Sequence, residues 1–322
     1  MSLLVKKEGI LTTVQDLGRD RYRQFGINPG GVMDRRAVRL VNMLIGNAEN
    51  CAVLEMHFPA GQFVFEKTAR FAVGGADFSP ELSGKQIENW IVSRADTGAV
   101  LDMRKKICGN RAYLAVKGGF VVDKWLESSS TSLIAQIGGF NGRRLRCGDR
   151  INFQREEESN AAPIGLRLGG SCVPEYSSLP TIRITAGPEF DRLTESSRRT
   201  FLTEIYRITP NSDRMGFRFT GMPLKSNSIY EILSSGVTFG TVQLLPDGQF
   251  IILMADHQTT GGYPRIATVI STDLSVLAQL APGDSVRFQM VSIADAERQA
   301  LRFEKELGFL RTGLRSKISS GL

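Results

Sequence analysis

Residues 255 to 265 read ADHQTTGGYPR and follow directly on the apolar run FIILM. Acid–base chemistry at a polar bond requires an acid or base beside it, donors for the charge that develops, and exclusion of bulk water. Asp256, placed where a buried strand ends, offers a fixed and partly desolvated carboxylate. Thr259 and Thr260 supply hydroxyls, and Tyr263 supplies a phenol. Gly261 and Gly262 let backbone amides approach a substrate closely. Gln258 and Arg265 complete a binding arc, the guanidinium being suited to bidentate contact with a carboxylate. A polar turn in which Asp256 bonds only its own loop is the alternative.

His257 and His57 are the chain's two histidines. Neighbouring strand positions point to opposite faces, so Asp256 is badly placed to orient His257, and we leave His257 out of the site. His57, inside LEMHFPAG, reads as structural. A second polar group, Gln15, Asp16 and Arg19 in TTVQDLGR, suits substrate or partner contact, or an Asp16 to Arg19 pair that fixes the loop. Arg214 in SDRMG suits an anion clamp. Glu55 in VLEMHF needs a partner if buried, an arginine being the natural one. The run SSSTS reads as a helix cap first and an anion site second.

Strands must position most of these residues. TIRITAG alternates Ile182 with Ile184, and DSVRFQM alternates Val286, Phe288 and Met290, each with one buried face. AYLAV, RFAVGG and FIILMA are short, apolar and bounded by glycine, as strands buried on both sides are. Helices are few. DRRAVRLVNMLIG starts from a capping Asp34 and stops at Gly46. TSLIAQI and TDLSVLAQL predict short helical turns, and ADAERQALRFEKELGFLR is amphipathic through Leu301, Leu307 and Leu310.

Two segments of the chain match each other. Gly118 and Gly119 precede Gly261 and Gly262 by 143 residues, and LIAQI precedes VLAQL by the same interval. The offset falls to 135 between GDRINFQ and GDSVRFQ. Such spacing is too long for a solenoid and predicts a duplicated domain. We therefore expect a mainly β protein of two tandem β-barrel or sandwich domains, at 1–160 and 175–322, joined by a linker between about 155 and 180.

The chain has 322 residues with 42% hydrophobic and 23% charged, close to the globular average. No apolar run approaches the ~20 residues of a membrane span, and the amino terminus lacks a signal-peptide pattern. Cys51, Cys108, Cys147 and Cys172 form no CxxC pair, so neither a metal site nor a disulfide scaffold is expected; reduced thiols in a cytoplasmic protein are. The net charge of +7 spreads 40 basic among 33 acidic residues without the clustering a nucleic-acid surface needs, and its sign fits an anionic small substrate equally well.

TTVQDLGR, GNRAYLAVKGG, SDRMGFRFTG, SSGVTFGTVQLLPDGQ and LMADHQTTGGYPRIATVISTDL occur in that order, and together they resemble the KipA family, also called allophanate hydrolase subunit 2 or the biotin-dependent carboxyltransferase family. It includes the C subunit of prokaryotic 5-oxoprolinase. The resemblance implies cyclophilin-like β-barrel domains and a KipI-like partner, the B subunit of that enzyme. In the 5-oxoprolinase complex a LamB/YcsF-like third chain joins them, and the assembly opens the lactam of 5-oxoproline to glutamate at the expense of ATP. Two alternatives come with the family: a regulatory protein that relieves a KipI-like inhibitor of a histidine kinase, and the carboxyltransferase part of a biotin-dependent urea-type enzyme. Asn28 to Asp34 lack a serine hydroxyl common there, and the run Ser128 to Thr131 has lost an arginine. The chain carries no P-loop, dinucleotide fingerprint or biotin-type Met-Lys-Met, so ATP is expected on the complex rather than on this chain, with no covalent biotin here.

Overall fold

A computed structural model of the chain describes residues 1–154, 162–227 and 232–320. It is mainly β and divides into two compact units: the described residues of Met1–Arg19, Asp34–Tyr176 and Glu306–Leu322 form one, and those of Asp20–Met33 and Ser177–Lys305 the other. The chain passes from the first unit to the second after Arg19 and again after Tyr176, and residues 155–161 of the expected linker lie outside the described residues. The units are not contiguous halves, for a physical reason. Met33 is fully buried in the core of the second unit, and the Arg23 guanidinium donates to the Val237 carbonyl there. Arg311, late in the long helix Ile293–Ser320, pairs with Glu49 of the first unit.

The first unit has two antiparallel sheets. One runs in the order Phe120–Val121, Arg150–Phe153, Ser2–Lys7, Gln62–Phe65, Val100–Met103, Pro80–Leu82, Lys85–Gln86. The other runs Thr12–Gln15, Val53–His57, Cys108–Val116, Ala69–Asp77, Ser93–Ala95. Leu3, Phe63, Phe65, Phe71, Leu114 and Ile151 are fully or almost fully buried in the unit's core. The helix Arg35–Leu44 begins as its sequence dictates: the Asp34 carboxylate accepts from the Ala37 amide at 2.9 Å, and Gly46, at φ +72°, follows its end.

The second unit closes into a seven-stranded barrel. Its order is Thr181–Ala186, Arg265–Val269, Thr241–Leu244, Phe250–Leu253, Gly216–Thr220, Tyr206–Ile208, Ser285–Met290, and the last strand returns parallel to the first. Inward residues alternate with outward ones, and Phe201, Tyr206, Phe219, Phe250 and Phe288 fill the interior; the Phe219 and Phe250 rings stack at 5.2 Å.

The matching segments do not pair alike. Arg150–Phe153 lies antiparallel to Ser2–Lys7, whereas Ser285–Met290 lies parallel to Thr181–Ala186. VLAQL contributes to a helical turn, Leu274–Leu277. LIAQI is not helical: Ser132 and Ile137 exchange backbone hydrogen bonds at 2.9 and 3.2 Å, closing a tight loop instead. Three positive-φ residues, Gln136, Gly138 and Gly139, bend the chain there in a way no helix accommodates.

Candidate functional site

The ADHQTTGGYPR segment begins as a turn after the strand Phe250–Leu253, held by the His257 amide donating to the Met254 carbonyl at 3.1 Å. The Asp256 carboxylate faces Arg214. Nε donates to Oδ2 at 2.8 Å and Nη2 to Oδ1 at 3.0 Å, while Nη2 also reaches the Gly31 carbonyl at 2.5 Å. Both side chains are more than nine-tenths buried. The Asp256 amide donates to the Arg214 carbonyl at 2.8 Å, and the Asn28 side-chain amide to the Asp256 carbonyl at 3.3 Å. Asp256 and the expected anion clamp Arg214 are thus brought together, as partners of one another. A fork-to-fork pair of this geometry fixes orientation as well as charge.

Beyond the turn, Thr260–Gly261 pairs with Ser235–Gly236 as a short ribbon, and the Thr259 carbonyl accepts from the Val237 amide at 3.0 Å. Tyr263 stands 46% exposed, and Gln258 is exposed as well. Arg265 is engaged elsewhere: its guanidinium grips Glu189 at 3.0 and 3.1 Å and reaches the Gly236 carbonyl at 3.2 Å. Burial pushes the Glu189 carboxyl upward, but the hydrogen bonds from Arg265 outweigh it and hold the group below its usual range.

Phe217, Phe219, Val242, Leu244, Phe250 and Ile252 point into the barrel, so Arg218, Gln243, Ile251 and Leu253 must point out. A groove of about 230 Å³ lies over that outer face, its lining including Asp213, Arg218, Gln243, Ile251, Gln258 and Tyr263. Gln243 is only 1% exposed, and its Nε2 has no hydrogen-bond partner among the described residues. A Cβ on Gly261 would fall 2.5 Å from that Nε2, so the glycine is what lets the ribbon lie over the amide. Sequence reasoning missed Gln243; the available signal was an amide in the apolar strand TVQL, where a buried polar group needs a partner.

Gln15, Asp16 and Arg19 belong to the first unit. The Asp16 carboxylate accepts from the Ser128 and Ser130 hydroxyls and the Ser129 amide, each at 2.6 Å, and from the Gly18 amide at 2.8 Å. The SSSTS run therefore neither caps a helix nor awaits an external anion, because Asp16 is the anion it encloses. Arg19 donates to the Ser130 carbonyl and lies 4.9 Å over the Trp125 ring. The Gln15 amide donates at 3.1 Å to both the Thr13 hydroxyl and the Thr131 carbonyl. Glu55 accepts from the Tyr113 hydroxyl at 3.0 Å, its cross-strand neighbour. His257 is buried with Nδ1 against the Gln258 carbonyl at 2.5 Å; burial lowers its pKa.

The chain belongs to the family described as the carboxyltransferase domain, subdomain A and B, whose model matches residues 25–290. It is similar to the 5-oxoprolinase C subunit of Haemophilus influenzae, at 39% identity over 299 residues covering 92% of each chain. It is also similar to the Escherichia coli protein of the same name, at 36% identity over 91% of this chain and 93% of the other. Among solved structures, the Kluyveromyces lactis urea amidolyase matches 95% of this chain with a TM-score of 0.88 and 28% identity, over 20% of its own length.

Proposed function

We propose that the chain is the C subunit of a 5-oxoprolinase, a cytoplasmic assembly that opens the lactam of 5-oxoproline to glutamate. The observation that carries this reading is the near full-length likeness to two bacterial proteins of that name. Four unbridged cysteines suit a reducing compartment. The groove on the second unit suits a small amide substrate. Gln243 lies beneath the Thr260–Gly261 ribbon, and Gln258 and Tyr263 offer polar groups to a lactam from the rim. Asp256, locked to Arg214, acts by holding the Thr259–Tyr263 arc in place over the groove. Thr259, Thr260, Gly261 and Gly262 give that arc its hydroxyls and its close backbone approach.

ATP supplies the driving force for lactam opening. The groove does not fit it: among the described residues, Arg218 is the one cation lining the groove and shares that lining with Asp213, a poor match for a triphosphate. We place ATP on a KipI-like partner or on a LamB/YcsF-like third chain, and the chain alone is inactive. A carboxyltransferase role is the second reading, favoured by the likeness to the urea amidolyase. Purification with both partners, followed by measurement of 5-oxoproline-dependent phosphate release, separates the two. A stable assembly without turnover would overturn the first reading.

A further inference from the structure

The first unit holds a larger cavity, of about 620 Å³, that the proposed function does not use. Its walls are the segment after the helix Arg35–Leu44, from Gly46 to Glu49, together with Lys117, and the last turns of the long helix, from Arg311 to Ser319. Volumes of about 300 to 1,000 Å³ are typical of small-molecule sites.

Charge in this cavity is unbalanced. Glu49 is the carboxylate in its lining, and both of its oxygens are taken: Arg39 Nε donates to Oε2 and Arg311 Nε to Oε1, each at 2.6 Å. Burial raises the Glu49 carboxyl, but the two guanidinium hydrogen bonds prevail and keep it below the usual carboxylate range. Lys117 Nζ donates to the Gly46 carbonyl at 2.8 Å and brings a further positive charge. Arg315 is exposed and has no ion-pair partner among the described residues.

Arg311 and Arg315 are four residues apart on one helix, so their like charges stand on the same face at a small cost in stability. A bound anion offsets that cost. Ser319, four residues further, adds a hydroxyl to the same stripe. Gly46 keeps the opposite wall close, since a Cβ there would fall 3.1 Å from both Lys117 Nζ and Ile318 Cδ1. Two guanidinium groups, an ammonium and a hydroxyl around one concavity make the donor set of a phosphate site, with planar forks to meet paired oxygens.

We propose that this cavity binds a small phosphate-bearing anion, through Arg315, Lys117 and the outer edge of Arg311. Pyrophosphate is the probe, titrated calorimetrically into the full chain at constant ionic strength, because screening weakens exposed contacts. Saturable binding is expected, weakened about tenfold in Arg315→Gln and in Lys117→Gln. Arg199→Gln, which removes a charge on a different helix, should leave binding unchanged. Thermal melts of each variant establish that the fold is retained. Absence of saturable binding, or affinity in Arg315→Gln equal to that of the unaltered chain, would overturn the proposal.

Discussion

Arg214 meets Asp256 through two hydrogen bonds, at 2.8 and 3.0 Å, with both side chains almost wholly out of solvent. Removing one member of such a pair leaves a buried charge uncompensated, which typically costs about 3 to 5 kcal/mol. Asp256→Asn should therefore lower the stability of the chain by about that amount, measured by chemical denaturation. The double replacement Arg214→Met with Asp256→Leu should recover much of the loss, without restoring turnover in the assembly. A double variant no more stable than Asp256→Asn would show that the pair's charge balance is not what it contributes.

Gln243 gives the opposite signature. Its Nε2 is buried and unpartnered among the described residues, so replacing the amide with an apolar group of similar size removes a desolvation cost. Gln243→Leu should leave stability unchanged or raise it by about 1 kcal/mol. A loss of more than about 1 kcal/mol on chemical denaturation would contradict an unpartnered amide at this position.

The fold was legible where local chemistry decides the outcome. Asp34 before an apolar helical pattern announced its cap, and the alternation of Ile182 with Ile184 and of Val286 with Phe288 announced barrel strands. The site was less so, because its meaning lies in contacts between residues far apart in sequence. Asp256 and Arg214 are 42 positions apart and Asp16 and Ser130 are 114, so neither partner was visible from the other. SSSTS has the composition of an anion site, and only the folded chain reveals that its anion is internal. The grouping of residues 20–33 with the second unit was equally hidden, since it depends on Met33 reaching the barrel's core.

Asp16 carries its own prediction. Its carboxylate accepts four hydrogen bonds from the Ser128–Ser130 loop and the Gly18 amide. Asp16→Ala should leave those donors unsatisfied and destabilise the chain by about 2 to 4 kcal/mol, read from the denaturation midpoint. A change below about 0.5 kcal/mol, the scale of a surface substitution, would contradict the loop's dependence on this carboxylate.

His257 sets a pH dependence. Burial lowers its pKa in the folded chain, so between that value and the unfolded value of about 6.5 the unfolded chain binds the extra proton. Stability contributed by the neutral imidazole is complete above about pH 6.5 and is lost as pH falls through the folded pKa. Melting temperatures measured from about pH 7.5 down to about pH 5 should decline, and His257→Gln should flatten that decline. An identical slope in the variant would assign the acid sensitivity to other groups.

Reconstituting the chain with the KipI-like and LamB/YcsF-like proteins proposed as its partners, and measuring ADP and glutamate formed from 5-oxoproline and ATP, decides whether it is a 5-oxoprolinase subunit. Turnover should require all three chains and be abolished by Asp256→Asn. A stable three-chain assembly that forms no glutamate from 5-oxoproline would contradict that role.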